Sequence, residues 1–315
     1  MTNNEIVEQN KKKYIGKSKY NNQGVKMTIV DYINTRNIVV KFEDGTTRRT
    51  SLGLYNRGSV KKPTKHIGAI NKNAFGTEMK VIQYTSYSDI VVEFQDKWKS
   101  VVHTTWLHFE RGNVKNPYDL NKYGARLGNT YGLHSTSKEI RSWYNILQRA
   151  TDSEYQEKHP TYIGCGIDES WLLFENYYQW LIAQENYQQW KNGLAWAVDK
   201  DILVKHNKIY SPSTCCLVPQ SVNNLFLRHE SVRGNYPIGV TYRQSDGMFM
   251  AQCNNPWTNK QEKLGNFVSS TDAFAAYKAY KENICKQVAT EEFTRHNITL
   301  ECYLALQNYR VDVND

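Results

Sequence analysis

The chain has no apolar run of membrane length and no leader-like N-terminus, and its six cysteines form no CxxC pair and no disulfide-framework spacing. The first two absences argue against a spanning or exported protein and lead us to expect a soluble, cytoplasmic one with no membrane partner. The third leads us to expect reduced, mostly buried thiols rather than a zinc site or a stapled fold. What is present is aromatic and basic: 22 Tyr, 8 Trp, and 40 Lys+Arg against 31 Asp+Glu, a formal charge of +9. At 315 residues the length suggests two or three domains. The charge is uneven. Residues 10–65 hold 14 basic and 3 acidic residues, a net of +11, and residues 290–315 a net of −3. An anionic partner is therefore expected, with its contact concentrated near the N-terminus.

A repeat occupies the first third. Tyr14-Ile15-Gly16 matches His66-Ile67-Gly68, and Ile38-Val39-Val40-Lys41-Phe42 matches Ile90-Val91-Val92-Glu93-Phe94, both at an offset of 52. The closing segments Arg57–Pro63 and Arg111–Pro117 match at 54, after a small insertion. Such self-similarity marks a duplication. Each copy alternates short β-rich runs with Gly, Asn and Asp turns, so residues 14–63 and 66–117 are expected as two tandem small β-barrels. Residues 1–13 read as a flexible basic arm. In the first copy Lys11, Lys12, Lys13, Lys17, Lys19, Lys26, Arg48, Arg49, Lys61 and Lys62 form a phosphate-seeking set or a merely solvated surface. The second copy offers Trp98, Trp106, His103 and His108 instead, as core or as a protein-binding face.

Residues 118–137, rich in Tyr, Gly, Asn, Ser and Thr, read as a linker or irregular connection. Ile140, Trp143, Tyr144 and Leu147 then mark a helix capped by Ser137, and Trp171, Phe174, Tyr178 and Leu181 another. Val198 to Ile202, Asn207 to Cys215 and Val218 to Phe226 read as strand, loop, strand and helix, with Pro219 at the first helical turn. Further on, Tyr236–Arg243, Met248–Cys253 and a run ending at Phe267 read as three strands. Ala273, Tyr277, Tyr280, Ile284 and Val288 then follow a helical period, capped by Ser270 or Thr271.

This last module resembles the apetala/ethylene-response-factor DNA-binding domain. The matching residues are Gly239-Val240 with Arg243, Gly247 with Phe249, Ala251-Gln252, Leu264-Gly265-x-Phe267, and Thr271 before Ala275-Ala276-Tyr277. The resemblance implies a sheet lying in the major groove of DNA, with Arg243, Phe249, Gln252, Lys260 and Lys263 as contacts. Thr241, Phe249 and Asn254 stand where that family has Arg or Trp, which leaves fewer bidentate forks for guanine.

Residues 138–230 resemble the ββα-metal element of phage HNH homing endonucleases with its helical lead-in. That resemblance implies a general base at the end of the first strand and a divalent cation. Here Asp199-Lys200-Asp201 fills the strand end, Lys200 falls in the base slot, and Thr214 replaces the central Asn. Neither His159 nor His206 matches the slot. The expectation is a degenerate scaffold with no catalytic residue, no metal and no cofactor. Were it active, Asp199, Lys200, Asp201, Asn223 and Asn224 would carry the site with a divalent metal.

The expected fold class is thus α+β multidomain. It comprises two tandem β-barrel repeats, an HNH-like middle domain (138–230), an apetala-type sheet–helix domain (231–289) and an acidic tail (290–315). The resemblances imply a phage or mobile-element protein, cytoplasmic in an infected bacterial cell, that binds DNA. The alternatives are a phage inhibitor that blocks a host anti-phage defence nuclease complex, and a metal-dependent HNH endonuclease.

Overall fold

Alternation decides the first third of the chain. Met27, Ile29 and Tyr32 on one strand and Ile38, Val40 and Phe42 on the next are all buried. The buried positions 29 and 32 are three apart, which a regular strand of period two does not allow. In the computed structural model, which describes residues 3–63, 66–226 and 236–313, the pairing shows why: the register shifts between Ile29 and Asp31. A bulge there inserts Val30, which stays exposed, and returns the next apolar residues to the core.

The chain divides into two compact units, Met1–Asp119 and Leu120–Asp315. In the first, β1 (Ser18–Tyr20), β2 (Lys26–Asn34), β3 (Asn37–Phe42) and β4 (Thr47–Thr50) form a four-stranded sheet in sequential order, followed by helix α2 (Leu52–Asn56). Strands β5 (Ile70–Lys72), β6 (Glu78–Ser86), β7 (Asp89–Phe94) and β8 (Val101–Thr104) repeat that order and lead into α3 (Trp106–Glu110). The register repeats as well. Met27 pairs with Phe42 and Met79 with Phe94, and the second copy carries its bulge between Val81 and Gln83. The short helices are capped alike, by the Ser51 side chain on the Leu54 N–H and the Thr105 side chain on the His108 N–H. The change of offset falls in one turn: residues 43–46 join β3 to β4, whereas residues 95–100 join β7 to β8. Lys99 takes the left-handed conformation there, and Asp96 accepts from the Trp98 and Lys99 N–H groups. Both ladders are antiparallel, and no pairing between β1 and β4, or between β5 and β8, closes them into barrels among the described residues.

The expected basic arm is helical over α1 (Asn3–Tyr14). Tyr14 stacks on Tyr32 with ring centroids 5.2 Å apart, and Lys11, Lys12 and Lys13 fall in the last turn, where the helix dipole favours positive charge.

The second unit has two cores joined through one hairpin. Helix α4 (Lys138–Thr151), capped by Ser137, begins it, and α5 (Ser153–Lys158), α6 (Phe174–Ile182) and α7 (Tyr187–Asn192) follow. Strand β9 (Gly166–Ile167) pairs in parallel with β11 (Ile209–Tyr210). Strand β10 (Trp196–Asp199) pairs antiparallel with β12 (Cys216–Pro219), which runs into the one-turn helix α8 (Gln220–Asn223). Pro219 sits at the N-cap, one residue before the helix. Successive residues of β12 face opposite sides: Leu217 enters the core of Trp143, Trp171 and Phe174, while Cys216 and Val218 enter the other. That second core is completed by β13 (Val240–Arg243), β14 (Met248–Asn255), β15 (Lys260–Phe267), α9 (Ser270–Thr294) and α10 (Leu300–Gln307).

Two expectations are corrected here. The segment 118–137 is no free linker, because Ala125 is fully buried and Tyr123, Leu127 and Leu133 pack against the first core. The 290–315 segment is no tail, because Ile298, Cys302, Leu306 and Val311 are buried in the second core. Composition pointed to solvent in both cases, and the few apolar residues at the right spacing decided otherwise. The domain boundary expected at 230/231 lies outside the described residues. All six cysteines are free and buried.

Candidate functional site

Two features of the second unit converge polar side chains. The first is a cleft of about 660 Å³ between α4, the 160–162 turn and the end of β10. Asp199 ends β10, and its buried Oδ1 accepts from the N–H groups of Asp201 and Ile202, each at 2.9 Å. Burial, and then the neighbouring Asp201 carboxylate, hold its carboxyl up at about 7. Lys200 is buried too, its Nζ 3.5 Å from Asp201 Oδ2 and 5.8 Å from the Tyr210 ring centroid. Asn207 fixes the loop by donating to the carbonyls of Lys200 (2.6 Å) and Ile209 (2.7 Å).

Of the residues named from sequence, Asp199, Lys200, Asp201, Asn223 and His206 line this cleft. Asn224 does not; it is exposed and accepts from the Gln220 side chain. Thr214 is turned away, donating to the Ile209 carbonyl at 2.8 Å, and His159 packs against Tyr155 with the two rings tilted by 37°.

What sequence reading missed is the wall. Lys138, Arg141, Asn145 and Arg149 line the cleft at steps of three, four and four, one stripe of α4. That spacing was legible, but the apolar stripe of Trp143 and Leu147 drew attention to the opposite face. With Lys200 and Lys208 the cleft has five cations against the two carboxylates Asp199 and Asp201. Among the described residues no group of three or more His, Cys, Asp and Glu is placed to hold a metal ion. Asp199 and Asp201 also fit a divalent cation poorly, since the Lys200 ammonium already occupies the neighbourhood of Asp201.

The second feature is the sheet β13-β14-β15. Helix α9 covers one face, and Gly239 shows how closely: it has φ +77°, and a Cβ there would lie 2.1 Å from the Tyr277 ring. Register then sorts the side chains. Ala251 and Cys253 face the helix, so Met248, Met250, Gln252 and Asn254 point the other way. Their cross-strand partners add Arg243 and Thr241 from β13 and Asn266, Lys263 and Gln261 from β15. A bulge at Leu264 turns both Leu264 and Gly265 toward the helix side and keeps Lys263 and Asn266 outside.

Three of the five sheet residues expected as contacts, Arg243, Gln252 and Lys263, therefore share the outer face. Phe249 does not. It lies on the helix side with Tyr236 and Tyr242, at centroid distances of 5.2 and 5.1 Å. Lys260 sits at the end of the β14–β15 ladder opposite Asn255, at the helix-side parity. Arg243 is held by Asp246 (2.9 Å) and lies 3.5 Å from Asn266 Oδ1.

In the first unit the basic residues are spread. Lys13 and Lys17 both approach the Tyr14 ring at 5.3 Å. Lys11 pairs with Glu8, Lys62 with Asp44, and Lys19 and Arg48 donate to backbone carbonyls. Lys12 and Arg49 are exposed.

Comparison of the chain with family models, with curated proteins and with solved structures finds no match.

Proposed function

We propose that this chain is a nucleic-acid-binding protein of the phage or mobile-element type, reading DNA with the outer face of its three-stranded sheet. The observation that carries the reading is the composition of that face. Arg243, Gln252 and Lys263 stand among Thr241, Asn254, Gln261 and Asn266, and the ladder places no carboxylate with them. A surface of amides, a hydroxyl and two cations, with Met248 and Met250 between them, offers groups for base edges and phosphate oxygens. The Arg243–Asp246 pair would fix the guanidinium before binding, as a supporting carboxylate does at recognition sites. The basic first unit would add backbone contacts without sequence preference.

The middle of the chain, on this reading, is an HNH-like ββα scaffold that does not cut. Lys200 stands where the base would act, and a protonated amine beside a carboxylate neither takes a proton nor invites a second cation. The two tandem sheets, each with the buried residues of its short helix in its core, are on this reading small barrel-type repeats.

The test is duplex binding at several salt concentrations for wild type and Arg243→Ala. We expect binding that weakens with salt, and an Arg243→Ala loss on the order of 1–3 kcal/mol concentrated on the preferred sequence. Absence of duplex binding by the wild type even at low salt would remove the proposal. Magnesium-dependent nicking abolished by Asp199→Ala would replace it with the endonuclease reading.

A further inference from the structure

The cleft at Asp199 is not explained by the reading of the sheet. Its charge is of the wrong sign for a metal-activated centre and of the right sign for an anion. Five cations face two carboxylates, and the deeper carboxylate is one that burial disfavours in its charged form. The cations arrive from separate elements: Arg141 and Arg149 from α4, Lys200 from the end of β10, and Lys208 from the loop before β11. Lys200 lies beside Asp201, Lys208 donates to the Thr161 carbonyl at 3.1 Å, and Arg141 is exposed at the rim. Lys138 is tied to the frame, its Nζ donating to the carbonyls of Trp190 and Gly193 at the end of α7.

The remaining walls are aromatic and amide. Tyr162 and Trp196 line the space, with Arg149 seated 5.0 Å from the Tyr162 ring centroid. Asn145 and Asn223 add side-chain amides. A cavity of about 660 Å³ lies within the size range of small-molecule sites. Cations at one side, ring faces at another and amides between them suit a planar heterocycle carrying a phosphate.

We propose that this cleft is a receptor for a nucleoside monophosphate group, with phosphate seated among Arg141, Arg149, Lys200 and Lys208 and the base against Tyr162 or Trp196. The group comes either as a free nucleotide or as the 5′-phosphorylated end of a strand. The site is independent of the sheet face, so each can fail alone.

Trp190 and Trp196 both line the cleft, so ligand binding is read from tryptophan fluorescence of the intact chain. Titrants are adenosine 5′-monophosphate, adenosine, inorganic phosphate, and a short single strand with a 5′-phosphate or a 5′-hydroxyl. We expect the monophosphate to saturate with a dissociation constant at or below about 1 mM, and adenosine and inorganic phosphate to bind more weakly. Arg141→Ala, on an exposed helix face, should weaken it roughly tenfold, the scale of one charge-assisted hydrogen bond. Lys208→Ala is a second variant should α4 be disturbed. Arg243→Ala should leave the monophosphate titration unchanged. A 5′-phosphorylated strand that binds more tightly than both the mononucleotide and the 5′-hydroxyl strand assigns the site to strand ends; no advantage over the 5′-hydroxyl strand assigns it to free nucleotides. The proposal is overturned if the monophosphate does not saturate. It is equally overturned if inorganic phosphate binds as well, or if Arg141→Ala and Lys208→Ala both bind as wild type.

Discussion

Asp199 is the residue whose chemistry is most displaced by its surroundings. Its carboxyl titrates at about 7, above the value near 3.9 of an unfolded Asp. The folded state therefore holds a proton that the unfolded state has released between those values, and stability falls as pH rises from about 4 through 7. Asn can accept the same two backbone N–H groups through its side-chain oxygen without the charge. We expect Asp199→Asn to stabilise the chain at pH 8 by on the order of 1–3 kcal/mol and to have little effect at pH 4. Denaturant unfolding at both pH values checks this; equal effects at the two would mean that the carboxyl is not displaced upward.

At the scale of elements, the C-terminal helix is the clearest case of packing overruling composition. Residues 290–315 carry a net charge of −3 and read as a tail. Yet the buried residues of α10 and its flanks close the core formed by β12, β14 and α9. Leu306 is 1 % exposed, so Leu306→Ala should cost about 2–5 kcal/mol through reduced burial and the cavity left behind. A true tail would tolerate the change, and a shift in the denaturation midpoint distinguishes the two. The bulges at Val30 and Leu264 act at the same scale: each adds one residue, and with it decides which side chains face solvent.

For the whole molecule the relevant quantity is the distribution of charge. The +11 of residues 10–65 is not one patch, because several of its cations are engaged with Glu8, Asp44 or backbone carbonyls. Lys12, Lys13 and Arg49 have exposed side chains. Neutralising these three together should lower the slope of log affinity against log salt by roughly 0.9 for each phosphate that the protein no longer neutralises, equally on all duplexes. An unchanged slope would place the phosphate-binding cations elsewhere in the chain.

The 52-residue offset, the alternation within each copy and the helical period after Ser270 were enough to place strands and helices, because those signals are local and repeat at the period of the backbone. Charge and resemblance picked out Arg243, Gln252 and Lys263 for the same reason: they stand in one short module. Local pattern could not say that Phe249 turns to the helix side, since that depends on which face α9 covers. Nor could it say that residues 290–315 are core. The cleft lay furthest from reach. Arg141 and Arg149 meet Lys200 and Lys208 across some sixty residues of chain, and only the packing of α4 beside the end of β10 makes neighbours of them. A sequence records which side chains are charged and how they are spaced along one element; the distances between elements, and hence the desolvation of Asp199 and the convergence of cations around it, exist only in the folded chain.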